Sequence, residues 1–317
     1  MRRHTHLLVI VLIPLTAHFG WAQNRSSAVR HYKEGTRKLE AGNLDSAIED
    51  FTQAIEISSS LAVSKGSTTN PGVGVSSFDN FSSEANRIKV IDPLTANAYI
   101  SRGLARKRQG DLDGALADWE RAIEIHPGLA AAYINRGYVR LAKGDTQGAL
   151  ADWSRAAAID PNLADAFANR GALLQEMGDI ERALADLNRA LALDPHHAEA
   201  YCARSLVWIR KQEFDKSMSD VNRAIELSPR LALAYYCRGI VGMSQNHLDA
   251  ALTDFSQALE LNHNMVNAYM YRGLTLLLQG KETEGEKDFE SARSLEQTIG
   301  NELEKKIKSA RAILLMR

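Results

Sequence analysis

The sequence predicts an all-α solenoid, a linear stack of paired helices with no sheet. Three observations carry this expectation. A set of residue types recurs every 34 positions over most of the chain. Within each period the apolar residues fall three and four apart, the spacing of a buried helical face, and do not alternate as a strand requires. Only 7 prolines occur among 317 residues, of which 45% are hydrophobic, so long helices have both room and something to bury.

The repeat is most visible as Arg-Gly, at Arg102-Gly103, Arg136-Gly137, Arg170-Gly171, Arg238-Gly239 and Arg272-Gly273, with Arg204-Ser205 in the remaining place. Four residues before this glycine stands an aromatic: Tyr99, Tyr133, Phe167, Tyr201, Tyr235, Tyr269. Seven after it comes a second glycine, at 110, 144, 178 and 280, replaced by Gln212 and Asn246 in two units. A small residue holds the position twelve after, a large apolar one the position sixteen after, and alanine the position nineteen after. Prolines 93, 127, 161, 195 and 229 close units.

Each element follows from these columns. The first helix starts after the proline and ends at the second glycine, which takes the left-handed conformation of a helix terminus. Asp111, Asp145 and Asp179 follow directly and cap the next helix. That helix runs to the next proline, which lacks the N–H needed to continue it. Glycine and alanine occupy the columns where backbones approach, and the aromatics fill the space left between them.

These columns resemble tetratricopeptide repeats, whose 34-residue helix-turn-helix units stack into a right-handed superhelix. Six contiguous units cover 96–299. An earlier one, over 28–61, shows Tyr32, Gly35, Gly42, Ala47, Phe51 and Ala54. Gly35 and Gly103 lie two periods apart. The stretch 62–95 between them reads as a Ser/Gly-rich insertion or a degenerate repeat. Residues 58–83 hold 16 Ser, Thr, Asn and Gly among 26, while Ile88, Val90 and Ile91 look like the tail of a second helix. The last segment, 300–317, places Leu303, Ile307, Ala310 and Leu314 on one helical face, as expected of a C-terminal helix capping the stack.

The N-terminus has a different character. Arg2 and Arg3 precede an apolar run from Leu7, and Gly20 and Ala22 stand before a possible cut ahead of Gln23. Residues 1–22 are expected to be an export signal or an uncleaved anchor. An exported, periplasmic or secreted protein is therefore expected, with any membrane link made only through an uncleaved N-terminal segment. The two cysteines, Cys202 and Cys237, match neither a metal nor a redox spacing and are expected as buried thiols.

A net charge of −1 gives no electrostatic footprint for nucleic acid. No hydrolase, metalloprotease, redox or phosphate-binding motif is present, so no catalysis and no cofactor is expected. An Asp stands fifteen after each column glycine, sixteen after the column Arg, which predicts one ion pair per unit tying its two helices. The first unit departs, with Glu34 in the Arg position beside Asp50.

The resemblance implies that first helices line a concave face, at three before and one, four and five after the column glycine. Those positions give the candidate protein-binding residues Ile100, Leu104, Lys107 and Arg108, then Ile134, Tyr138 and Leu141. They continue with Leu206, Ile209 and Arg210, Tyr236, Ile240 and Met243, and Met270, Leu274 and Leu277. The unit between them offers Ala168, Ala172, Gln175 and Glu176 at the same register. The lining is largely apolar and suits an extended peptide or an amphipathic helix. The expected function is a non-enzymatic adaptor or scaffold for a protein or peptide partner. The alternatives are a structural homo-oligomer, or an accessory subunit of an envelope enzyme or secretion complex.

Overall fold

The computed structural model describes residues 19–65, 93–296 and 300–315. Among these residues there are fifteen helices and no strand. The first pair is α1 (Phe19–Glu40) and α2 (Leu44–Lys65). It is followed by α3 (Pro93–Gln109) with α4 (Leu112–Ile125), and α5 (Ala130–Ala142) with α6 (Thr146–Ile159). Next come α7 (Ala164–Met177) with α8 (Ile180–Leu193), and α9 (Ala198–Arg210) with α10 (Phe214–Leu227). The last pairs are α11 (Ala232–Ser244) with α12 (Leu248–Leu261), and α13 (Val266–Leu278) with α14 (Glu282–Leu295). A single helix, α15 (Gly300–Leu315), ends the order. The chain divides into two compact units, 1–139 and 140–317.

The turns form as the columns require. Asp111, Asp145 and Asp179 each accept a hydrogen bond from the backbone N–H three residues on, capping α4, α6 and α8. Glycines 42, 110, 144, 178 and 280 sit at φ between 79° and 90°. Gln212 and Asn246 take the same left-handed position at φ 60°, so the neighbouring helix pairs impose this turn even on residues with a side chain.

In the first unit α2 packs directly against α3. Phe51, Ala54 and Ile55 share a core with Ala98 and Ala105. Thr95 Oγ1 donates to Ser58 Oγ at 2.8 Å, and Arg108 Nη1 donates to the Leu39 carbonyl at 3.1 Å. The two helices are thus neighbours in the stack although 66–92 separate them in sequence. Those residues, and with them Ile88, Val90 and Ile91, lie outside the described residues.

Helix α2 runs to Lys65, past the end of the 28–61 repeat. Its serines satisfy themselves on the helix, Ser58 Oγ bonding the Ala54 carbonyl and Ser60 Oγ the Ile57 carbonyl. Helix α3 opens at Pro93, before 96, so this proline starts a helix; the first turn needs no donor from it. The expected signal at 1–22 lies outside the described residues up to 18, and α1 begins at Phe19.

Close approach of the paired helices explains the column glycine. In the first unit a Cβ on Gly103 would stand 2.6 Å from Trp119 Nε1. The indole that fills this space donates to the Ile100 carbonyl at 3.2 Å, so a fully buried Trp has its N–H satisfied.

In the second unit α15 lies on α13. Leu303, Ile307 and Ala310 are buried against Met270, Leu274, Leu277 and Phe289. These are three of the four residues expected on the inner face of α15; the side chain of Leu314 lies outside the description.

Candidate functional site

The matched charges come first, because they are the most regular polar feature. Arg102 reaches Asp118, Arg170 Asp186, Arg204 Asp220, Arg238 Asp254 and Arg272 Asp288, each with a contact of 2.6–2.7 Å. The Asp side chains are nearly or fully buried. The guanidinium of each Arg also stands 5.2–5.7 Å from the ring three residues before it. The sixth expected pair, Arg136 and Asp152, straddles the division between the units; within the second unit Asp152 accepts from Arg140 at 3.0 Å.

Two further sets of contacts join this network. Three residues after the column glycine, Arg106 donates to Asp118 and Trp208 Nε1 to Asp220. Arg102 also donates to Thr52 of the preceding helix pair, Arg204 to Asn188 and Arg272 to Ser256. Each such Arg therefore ties two pairs as well as two helices. In the first helix pair Asp50 has no column Arg. His31 at 3.0 Å and Lys38 at 2.6 Å replace it, from one turn before and one turn after. Burial alone would raise the Asp50 carboxyl, but these two partners bring it below the usual value. Glu34 turns outward to Arg37. These charges hold the scaffold together and leave none over for a ligand track.

The candidate lining residues have different fates. In the first unit Ile100 packs toward Trp119, and Leu104 against the α1–α2 core. Ile134 is buried, while Tyr138 is 40% exposed with Lys107 Nζ 4.9 Å from its ring centroid. Desolvation, and Arg108 beside it, push the Lys107 ammonium below the usual lysine value. In the second unit Leu141 is half-buried and Arg210 exposed. Leu206, Ile209, Tyr236 and Met243 pack around Ile240 and Phe255, so they join successive first helices to one another. Met270, Leu274 and Leu277 are 2–5% exposed. They do not belong to an open face, because α15 covers them.

The open site lies where the sequence offered least bulk. A cavity of about 150 Å³ sits between α7, α9 and α11. Its wall includes Ala168, Ala172, Gln175 and Glu176 of α7, Ala200, Cys202, Ala203 and Leu206 of α9, and Leu233 and Cys237 of α11. Of the candidate residues only Leu206 takes part. Where other first helices carry Ile, Leu or Tyr, α7 carries two alanines, and the missing side chains leave the hollow.

Three comparisons with family models bear on this arrangement. Models described as tetratricopeptide or TPR repeat match 103–144, 134–208 and 238–300, together just over half of the chain. The chain is a tetratricopeptide-repeat protein.

Among solved structures it is similar to a tetratricopeptide repeat protein from Parabacteroides merdae, at 20% identity and TM-score 0.62, covering 89% of this chain and 99% of that one. It also resembles TTC0263, a thermophilic TPR protein of Thermus thermophilus, at 22% identity and TM-score 0.50, covering 57% and 99%. A third similarity is to the APC/C hetero-tetramer Cut9–Hcn1, at 15% identity and TM-score 0.60, covering 84% of this chain but 52% of that one. These likenesses show the fold, an all-α tetratricopeptide solenoid. No curated protein matches the chain. Tetratricopeptide arrays are protein-interaction scaffolds, because stacked pairs present extended surfaces.

Two features of this tetratricopeptide chain carry predictions. His197 stands at the start of α9 with Nε2 3.3 Å from Asp165 and Nδ1 3.4 Å from Glu199. Burial alone would lower its pKa, yet the two carboxylates carry it up to about 9. The folded value exceeds the unfolded one, near 6.5. The imidazolium therefore contributes fully below pH 6.5, and the contribution fades as pH rises toward 9. Relative to His197→Gln, the wild type should lose an advantage of order 2 kcal/mol between pH 6 and pH 9.5, read by urea unfolding at each pH. A difference that does not change with pH would show that the ring acts by packing and by accepting from the Ala200 N–H through Nδ1, not by its charge.

Cys202 and Cys237 are free and fully buried in one core cluster. The Cys202 thiol is pushed far up by its contact with Cys237 and by burial. In the folded protein both should resist a thiol reagent such as Ellman's, and both should react once urea unfolds the chain. Fast labelling without denaturant would contradict this burial. No group of His, Cys, Asp and Glu among the described residues is placed to hold a metal ion. No described helix is long and apolar enough to cross a membrane.

Proposed function

We propose that this chain is an exported, non-enzymatic adaptor that holds an extended protein segment on the first-helix face of its second unit. The observation that supports this reading is the cavity between α7, α9 and α11. It lies on the face that the tetratricopeptide pattern leaves for partners, and its wall is mainly apolar. Export rests on the basic, apolar and small-residue order of 1–22.

Two experiments test the proposal. A fusion of residues 1–30 to a reporter active only outside the cytoplasm should give activity; an inactive fusion removes the exported part of the reading. Residues 23–317, used as bait in an envelope extract, should retain a protein that Ala172→Tyr does not. Tyr138 occupies the same register in another first helix, so a tyrosine here fills the hollow with a side chain the repeat already accommodates. Equal retention by the folded variant would move partner binding away from this face. Retention of the protein's own copies alone would favour the homo-oligomer.

A further inference from the structure

The same cavity has a charge that nothing in the fold uses. Glu176 stands at its rim, in the last turn of α7, exposed to solvent, and takes part in no hydrogen bond or ion pair among the described residues. Arg210, at the same register on α9, makes no ion pair with it. Desolvation is the sole cause acting on the Glu176 carboxyl, and it raises the pKa. His197 and Glu199 also line the cavity, but they are paired with each other, and His197 with Asp165 as well. Among the described residues neither His197 nor any other charged side chain pairs with Glu176.

The floor beside Glu176 is apolar. Ala168, Ala172, Ala200 and Ala203 leave a hollow of about 150 Å³, room for one extended side chain. A long aliphatic stem suits such a wall, and a cationic head suits a carboxylate at its rim without a counter-charge. Lysine and arginine combine the two; a leucine would fill the hollow and leave the carboxylate to water.

We infer that this cavity takes an arginine or lysine side chain of an extended partner segment, its stem over the alanines of α7 and α9 and its head at Glu176. The inference rests on the peptide-binding reading of this face and specifies what that peptide must carry.

The probe is an immobilised pool of heptapeptides with randomised flanks and a fixed central residue: arginine, its neutral isostere citrulline, leucine or glutamate. The full exported chain, 23–317, is assayed as wild type, Glu176→Gln and Ala172→Tyr. Helicity and melting temperature confirm that each is folded. The wild type should favour the arginine pool over the citrulline pool by about two- to fivefold, as a charge-assisted contact at an exposed rim allows. Glu176→Gln should erase that preference while still binding peptides, and Ala172→Tyr should lose all pools. Equal binding of arginine and citrulline pools, abolished by Ala172→Tyr, would overturn the basic ligand and leave the peptide face standing. Arginine-pool binding untouched by Ala172→Tyr would overturn the site itself. If no pool binds above the Ala172→Tyr level, the peptide reading falls with it. Self-association that Ala172→Tyr disrupts would assign the cavity to a second copy and overturn the inference.

Discussion

Asp220→Ala should cost about 3–5 kcal/mol of unfolding free energy, far more than a surface ion pair would. Asp220 accepts from Arg204 Nε at 2.8 Å, from Arg204 Nη2 at 2.7 Å and from Trp208 Nε1 at 3.0 Å. It is 6% exposed. Truncation strands a guanidinium and an indole N–H between α9 and α10, with only Asn188 left to accept from the former. Asp220→Asn keeps one acceptor and should cost less. Urea unfolding followed by circular dichroism reads the difference. Because each pair touches only its neighbours, the loss should appear first as an earlier partial transition. A cost below about 1 kcal/mol would class the pair with exposed ones.

Gly273→Ala and Gly242→Ala should move stability in opposite directions, although both add one methyl to a helix. A Cβ on Gly273 would stand 2.5 Å from Phe289 and 2.9 Å from the Gly285 carbonyl oxygen. The second contact is with backbone, so relief requires α13 and α14 to separate, at about 1–3 kcal/mol. A Cβ on Gly242 finds nothing nearer than 3.5 Å. There the lower chain entropy of alanine should stabilise by about 0.5–1 kcal/mol. Paired thermal melts decide the matter. Equal shifts would mean that the glycine column reflects helix propensity and not close approach.

The scaffold was legible because close packing restricts residue type at fixed places. Gly103, Gly239 and Gly273 recur where a Cβ would collide with Trp119, Phe255 or Phe289. Asp118 to Asp288 recur because every unit buries the same carboxylate. Partners of one role but several chemistries left no column. Lys38, Arg106, Arg140 and Trp208 all reach the buried Asp from three residues past the glycine position, but they are a lysine, two arginines and a tryptophan. The cavity was illegible for a related reason. Bulky positions such as Ile209 and Leu274 attract attention as a binding face, yet bulk is what packs one first helix on the next. Ala168 and Ala172 matter for the atoms they lack, and their run of small residues was the available signal.

Helix α15 has a consequence for polymerisation. A repeat stack grows end to end when the last exposed face accepts the first face of another molecule, a head-to-tail contact that builds filaments where it does not close a ring. Here Leu303, Ile307 and Ala310 already occupy the outer surface of α13. That terminus is shut from within the same chain. Polymer growth through α13 would first require α15 to peel away, so truncation before residue 300 should increase the tendency to form fibres or precipitate relative to the full chain.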